Sequence, residues 1–135
     1  MNNFIVNQNI IETSILIKEL DFSLLFLKNN KNYPWLILVP KISSASEILD
    51  LSETEYNQLN KEIYYISSIV KKIYKPDKIN IASIGNIVPQ LHFHIVARYK
   101  SDNCWPLNVW NDKESNKYTQ QEIIIAKNLL LDALK

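Results

Sequence analysis

The stretch GNIVPQLHFHIVARY, from Gly85 to Tyr99, holds both histidines of the chain, His92 and His94, together with its only glycine and its only arginine. Polar and apolar residues alternate through QLHFHIVAR, and the side chains of a β-strand alternate between its two faces. The alternation predicts a strand with one face formed by Gln90, His92, His94, Val96 and Arg98. The opposite face is apolar and suited to packing on a helix; it consists of Leu91, Phe93, Ile95 and Ala97.

The rest of the chain predicts further strands and helices around this strand. The runs ILIKEL, FSLLFLKN and WLILVPK are typical of strands, as is KINIASIG just before the histidine segment. VNQNIIETS predicts a short helix capped by Asn7, and TQQEIIIAKNLLLDALK predicts an amphipathic C-terminal helix. In SETEYNQLNKEIYYISSIVKKIY, Ser52 and Glu55 form a capping box at the start of a long helix. This order predicts an α+β fold, with an antiparallel sheet of about five strands, one long helix and a C-terminal helix, in a single domain over residues 1–135.

Composition and charge exclude several classes of function. The 135 residues carry a formal net charge of +1 with scattered lysines, which argues against nucleic-acid binding as the main role. No apolar run approaches the ~20 residues of a membrane span, and the first residues do not resemble a secretory signal. The single cysteine, Cys104, rules out an internal disulfide. These features predict a cytoplasmic protein that binds neither nucleic acid nor membrane.

Three interpretations of the two histidines are open from their spacing alone. They can be exposed side chains on an open face of the sheet. They can be two metal ligands, although Cys104 and Asp102, beyond the strand, complete no known zinc spacing. They can also be a nucleophile or acid–base catalyst and its supporting neighbour.

Gly85 and Asn86 favour the third interpretation. Glycine is used where φ is positive or where a ligand approaches the backbone, although a plain turn between two strands would also explain Gly85. The amide of Asn86 is able to hydrogen-bond a phosphate oxygen. A Gly-Asn turn that leads into Gln-x-His-x-His therefore predicts an anion site beside a nucleophile. Arg98 is either a contact to a leaving phosphate or a solvated residue at the strand end.

The segment GNIVPQLHFHIVAR resembles the motif of the histidine-triad (HIT) family, His-φ-His-φ-His-φ-φ with φ apolar, preceded by a Gly-Gln or Gly-Asn turn. WLILVPK is similar to the family's apolar strand ending in Pro-Lys, ILDLSETE to its helix start, and PDKINIASIGN to the strand before the motif. WPLNVW resembles a tail of a bacterial branch that has glutamine at the first motif position. The resemblance covers most of the chain and implies a HIT-like fold. It also implies a homodimer, for which the long helix offers the face with Tyr56, Leu59, Ile63 and Ile66.

The resemblance assigns catalytic roles to this segment. Members of the family hydrolyse or transfer nucleotides through a covalent nucleotidyl-histidine, and His92 matches the middle histidine that attacks the α-phosphorus. His94 would contact the phosphoryl group, and Gln90 would orient a neighbouring group. Asn86 and backbone N–H groups near Gly85 would hold the phosphate oxygens.

The nucleoside is expected against the first hairpin. By resemblance the base contacts apolar residues of that hairpin, which predicts Phe26, with Leu25 and Leu27 beside it, and Asn29 as a polar contact. The covalent step requires no cofactor and no metal, although the substrate can be a metal–nucleotide complex.

The sequence departs from the family pattern at two histidine positions. Gln90 stands at the first motif position, and Trp35 stands where many members have a histidine before the apolar strand. The segment ISSASEILD also lacks a histidine that many members have. The resemblance implies a nucleotide hydrolase or nucleotidyl transferase acting on a nucleoside phosphoramidate or a dinucleoside polyphosphate. The alternative is a nucleotide-binding module with little or no turnover.

Overall fold

One antiparallel sheet, with helices packed on it, accounts for the regular structure of the chain. The computed structural model describes residues 4–135. Its strands are β1 (Ser14–Glu19), β2 (Ser23–Lys28), β3 (Trp35–Pro40), β4 (Lys78–Ala82) and β5 (Phe93–Arg98), and its helices are α1 (Gln8–Thr13), α2 (Glu53–Tyr74) and α3 (Gln120–Ala133). The strand order is β1-β2-β3-β5-β4, with every neighbouring pair antiparallel. The predicted α+β fold with five strands, a long helix and a C-terminal helix is confirmed.

The predicted capping box fixes the start of α2. The Ser52 hydroxyl accepts from the backbone N–H of Glu55 at 3.1 Å, and the Ser52 N–H donates to the Glu55 carboxylate at 2.8 Å. Both bonds satisfy N–H groups that have no partner inside the helix. The helix ends at Lys75, whose φ of 48° is left-handed, directly before Pro76. Asn7 caps α1 as predicted, by accepting from the N–H of Asn9.

The apolar face of the sheet packs against α2 and α3. Its inward side chains follow the period of two that a pleated strand requires. The fully buried members of this core include Leu25, Leu27, Leu36, Leu38 and Ile95 of the sheet with Ile66, Val70 and Leu130 of the helices. Ile95 and Ala97 belong to this core, so the prediction that the apolar side of the histidine strand packs on a helix is confirmed.

The histidine face is partly covered rather than open. Ile10 of α1 and Val109, in a short 3₁₀ turn at Val109–Asn111, pack over it. The sheet residues beneath them are Phe26, Tyr33, Trp35, Ile37, Val39 and Val96. His92 and His94 are each 7% exposed, so the interpretation of both as exposed side chains on an open face is wrong.

The histidine strand is shorter than the sequence alternation predicts. It begins at Phe93, which pairs with Leu38, so Gln90 and His92 lie before the strand. On one side β4 ends at Ala82, opposite His94, and on the other the pairing with β3 stops at Phe93. The N–H of Leu91 instead donates to the carbonyl of Ala45 at 2.9 Å.

The helix face expected to join two copies of the chain is occupied by the chain's own core. Leu59 and Ile66 are 0% exposed, and Ile63 is partly buried against the same clusters. The prediction is wrong for Leu59 and Ile66, which pack inside the protein, whereas Tyr56 is 37% exposed. Of the aromatic residues on α2, Tyr64 is the most exposed, at 79%. Within residues 4–135 no helix combines the length and the apolar character needed to cross a membrane.

Candidate functional site

A cavity of about 390 Å³ opens on the histidine face of the sheet. Its walls come from α1, the end of β2, the loop from Ile84 to Val88, the two histidines and Trp110. Clefts of this size and mostly apolar lining, with a few polar groups, are typical of sites for small molecules. The histidines therefore lie in the wall of a pocket that can hold a ligand.

The ring of His92 lines this cavity, and one of its nitrogens is bound to the backbone. Its Nδ1 lies 2.7 Å from the backbone carbonyl oxygen of Gln90. A carbonyl oxygen only accepts, so Nδ1 carries the proton and donates it. The lone pair of neutral His92 is then on Nε2, the nitrogen that is free for attack on an electrophile.

Trp35 holds His94 in the other tautomer, with the proton on Nε2. The indole Nε1–H donates to His94 Nδ1 at 2.9 Å. Because an indole N–H only donates, Nδ1 must carry the lone pair, and the proton of neutral His94 is on Nε2. Burial, followed by the nearby charges of His92 and Lys28, lowers the pKa of His94 to about 3. His94 is thus a neutral hydrogen-bond donor across the physiological range.

The two rings form one unit with complementary chemistry. Their centroids are 4.9 Å apart and their planes are inclined by 74°. His92 supplies a lone pair, and His94 supplies an N–H group beside it. This combination can attack an electrophilic centre and at the same time donate to an oxygen on which negative charge develops.

The lowered pKa of His94 makes stability fall in mild acid. The unfolded chain takes up a proton on this residue near pH 6.5, whereas the folded protein does so only near pH 3. Stability is therefore lost as the pH falls below about 6.5, by about 2 kcal/mol at pH 5 from this group alone. We expect His94→Asn to lose correspondingly less stability than the wild type between pH 7.5 and pH 5 in urea unfolding. An identical pH dependence in the two proteins would contradict the assignment.

Trp110 closes the cavity next to His94, and sequence reasoning did not identify it as a site residue. Its ring centroid lies 4.9 Å from that of His94 and 5.6 Å from that of Trp35, both edge to face. Only the resemblance of WPLNVW to a tail motif pointed to this segment. Two of the chain's three tryptophans lie within this segment, and that clustering could have indicated that it contributes to the site.

Arg98 forms hydrogen bonds that hold the segment before Trp110 in place. Its side chain is 1% exposed and makes a two-point ion pair with Asp102, at 2.7 and 3.0 Å. It also donates to the Asn80 side chain at 2.8 Å and to the Leu107 carbonyl at 2.7 Å. The interpretation of Arg98 as a solvated strand-end residue is wrong, because these bonds take its charge inside the protein. Because these bonds use the donors of the guanidinium, Arg98 is not available to bind a leaving phosphate.

Gln90 contributes its backbone carbonyl to the site but not its side chain. Its Oε1 accepts from the N–H of Asn7 at 2.7 Å, and its Nε2 donates to the carbonyl of Ile5 at 2.8 Å. The structure does not bring this amide into the cavity, because the strand alternation does not extend back to residue 90. Its bonds instead hold the segment that leads into α1, which forms one wall of the cavity.

The structure also keeps the expected base contacts away from the cavity surface. Phe26 is on the histidine face but is 4% exposed within the core beneath Ile10. The Asn29 side chain accepts from the N–H of Tyr118 at 2.9 Å. Leu25 and Leu27 lie on the opposite face, in the helix-packed core.

Gly85 and Asn86 line the cavity, and their binding of phosphate stays a prediction. Gly85 has a φ of 73°, which confirms the need for glycine at this point. A Cβ atom here would meet Val88 O at an ordinary 3.5 Å, so backbone conformation, rather than space, requires the glycine. Asn86 is exposed and lies in the cavity wall.

The residues considered as further metal ligands are engaged elsewhere. The Cys104 sulfur is 3.1 Å from the Tyr33 hydroxyl, and Asp102 is paired with Arg98. Among residues 4–135, no group of three or more His, Cys, Asp or Glu side chains is arranged to hold a metal ion.

Comparison with known proteins places these features in a family. Residues 10–101 match the model of the HIT domain. The whole chain is similar to a histidine triad protein from Bradyrhizobium japonicum, with 38% identity, a TM-score of 0.94 and 98% of each chain covered. A histidine triad protein from Marinobacter aquaeolei shares 31% identity, with a TM-score of 0.94 over 97% of this chain and 96% of that one.

A curated relative links the family to a reaction. The bis(5'-adenosyl)-triphosphatase of Saccharomyces cerevisiae is 34% identical over 76 residues, which is 53% of this chain. The match spans only 37% of the yeast protein's length. The family model covers more than half of the chain, and the histidine pair lies inside it. The chain belongs to the HIT domain family.

Proposed function

We propose that this protein hydrolyses or transfers nucleotides by attack of His92 on the α-phosphorus of the substrate. The observation that carries the proposal is the fixed pair of hydrogen bonds behind the two histidines. Gln90 O accepts from His92 Nδ1–H, and Trp35 Nε1–H donates to His94 Nδ1. One ring is thereby prepared as a nucleophile and the other as a neutral donor, on the wall of the same cavity.

The reaction proceeds in two displacements. His92 Nε2 forms a bond to the α-phosphorus as the bond from phosphorus to the leaving group breaks, and the leaving group departs with the electron pair. The imidazolium that results keeps its Nδ1–H on the Gln90 carbonyl, which favours the positive charge. Water, or an acceptor in a transfer reaction, then attacks phosphorus from the other side and releases neutral His92.

Donors around the cavity stabilise the phosphoryl oxygens during both steps. His94 Nε2–H, the Asn86 amide and the backbone N–H groups near Gly85 supply hydrogen bonds to negative charge. Because His94 stays neutral, it donates without repelling the positive charge that develops on His92. Such fixed donors are often the largest single contribution to the rate.

The yeast relative suggests the first substrate to test, diadenosine triphosphate. Attack at the α-phosphorus would release ADP and leave an adenylyl group on the enzyme, which water converts to AMP. In ¹⁸O-labelled water the label should therefore appear in AMP and not in ADP. Label in ADP, or cleavage into other products, would contradict attack at the α-phosphorus.

Trp35 should act as a positioning residue for His94. Replacing Trp35 with phenylalanine keeps an aromatic ring but removes the N–H that fixes the His94 tautomer. We expect kcat to fall by about 10- to 100-fold, within the range of general acid–base and hydrogen-bond contributions, with a smaller change in KM. In ¹⁵N NMR the wild-type His94 should show protonated Nε2 only, and the variant a mixture of tautomers. An unchanged tautomer in a slower variant would show that Trp35 acts by packing alone.

A second candidate is a nucleotide-binding module with little turnover. Two observations favour it: Gln90 directs its amide to the N-terminal segment, and Trp35 places an indole, which cannot take up or release a proton near neutral pH, beside His94. This candidate predicts that AMP and diadenosine triphosphate bind with no products formed. The homodimer and the membership of a branch with glutamine at the first motif position remain predictions.

A further inference from the structure

Lys28 brings a single positive charge to a cavity whose other walls are neutral. Among residues 4–135, it is the one charged side chain that lines the cavity, and no aspartate or glutamate lines it. His92 and His94 are on the same wall, with His94 neutral across the physiological range. The electrostatic character of the pocket is therefore set by one lysine.

This lysine has no ionic partner within the described chain. Its Nζ donates to the Thr13 hydroxyl at 3.3 Å and lies 5.7 Å from the centroid of the Trp35 ring. No carboxylate of residues 4–135 lies within ion-pair distance of it. The side chain is half-buried, and burial lowers the pKa of Lys28. Burying a cation costs free energy unless an anion compensates its charge. An anionic group of a ligand would therefore bind favourably next to Lys28.

The position of Lys28 separates it from the phosphate that His92 attacks. Lys28 is the last residue of β2, and β3 lies between β2 and the histidine strand β5. Two strand spacings place its backbone about 10 Å from β5. Its Nζ lies beside Thr13 and Trp35 in the cavity wall, and its charge still contributes to the lowered pKa of His94.

We propose that Lys28, together with the Thr13 hydroxyl, binds a second phosphate group of the substrate. This inference rests on the proposed function and adds a specificity determinant to it. The second phosphate has two chemical sources: the next phosphate of the 5′ chain, or a phosphate on the 2′ or 3′ oxygen of the ribose. Both offer the same anionic oxygens to an ammonium group and a hydroxyl.

The test measures equilibrium dissociation constants by calorimetry, so that turnover is not needed. The ligands are AMP, ADP and adenosine 3′,5′-bisphosphate, which place the second phosphate at the two alternative positions. We expect the wild type to bind one of the two bisphosphorylated ligands at least about tenfold more tightly than AMP. A preference for ADP would assign the 5′ chain, and a preference for the 3′,5′-bisphosphate would assign the ribose.

Three variants make the test specific. Lys28→Met keeps the length of the side chain and removes only its charge, so the affinity for the preferred ligand should fall to about that for AMP; the readout is the ratio of the two dissociation constants, because loss of the charge weakens AMP binding as well. Lys28→Arg should retain most of the preference. Lys18→Met, which removes an exposed lysine of β1 away from the cavity, should behave as the wild type.

The outcomes separate this inference from the proposed function. Equal affinity for all three ligands, survival of the preference in Lys28→Met, or its loss in Lys18→Met would overturn the role of Lys28. If His92 is still adenylylated in such a case, the proposed function stands without it. If no nucleotide of any base binds to the folded wild type, both fail.

Discussion

Replacing His92 with glycine is expected to reduce turnover of a nucleotide substrate by at least about a thousandfold, or ~4 kcal/mol of barrier. The proposed covalent step would have no substitute nucleophile, since His94 Nδ1 is occupied by Trp35 and its Nε2 carries the proton. The change should not unfold the protein, because His92 lines a cavity and lies outside the hydrophobic clusters. Initial rates with diadenosine triphosphate, compared at equal enzyme concentration, measure the effect.

The control for this variant is ligand binding by the same protein. AMP should still bind to His92→Gly within about tenfold of the wild type, because the other cavity walls are unchanged. Turnover above a few per cent of the wild-type rate in a verified, folded variant would show that another residue attacks phosphorus.

Replacing Asp102 with alanine is expected to destabilise the fold by about 3–5 kcal/mol, because it leaves the Arg98 guanidinium buried without its counter-charge. Burial alone would raise the pKa of Asp102, yet hydrogen bonds from Arg98 and from the N–H of Tyr99 hold it below its ordinary value. The free energy of unfolding in urea, measured near neutral pH, should show the loss. Trp110 should also lose its fixed position, since Arg98 holds the segment that carries it.

Asp132→Ala is the matched control. Its carboxylate pairs with Lys135 at the surface, and both side chains are more than three-quarters exposed. A pair of this kind contributes about 0–1 kcal/mol, so the variant should be close to the wild type in stability. If Asp102→Ala and Asp132→Ala lose the same small amount, the Arg98–Asp102 pair does not support the fold as described.

The fold could be predicted because its determinants are local. The capping box of Ser52 and Glu55 and the alternation of Phe93 to Arg98 act over a few residues, and both appear in the structure. The start of β5 could not be predicted this way. It is defined by where the pairing with β3 and β4 stops, and the N–H of Leu91, just before it, bonds to Ala45 in a distant loop.

The site was predictable only where the motif itself forms it. His92, His94 and the Gly85-Asn86 turn are within a few residues of one another and do line one cavity. Gln90 shows the limit, because its amide bonds to backbone atoms more than eighty residues away, at Ile5 and Asn7.

Residues that complete the site from other elements were missed for the same reason. Lys28 lies at the cavity because of the strand order in the sheet. Trp110 lies there because hydrogen bonds from Arg98 hold the loop that carries it. Strand parity could have placed Lys28 on the face of Phe26, two positions earlier, but parity does not tell which residues on a face reach a ligand.

If His92 attacks the α-phosphorus as proposed, a nucleotide becomes covalently attached to it in every turnover. The most direct test is mass spectrometry of the protein quenched within the first turnover of diadenosine triphosphate, followed by localisation of the adduct after proteolysis under conditions that preserve the phosphorus–nitrogen bond. We expect one adenylyl group per chain, on His92, absent from His92→Gly and disappearing as AMP is released. Release of AMP with no adduct at any quench time, or an adduct on a residue other than His92, would contradict the proposal.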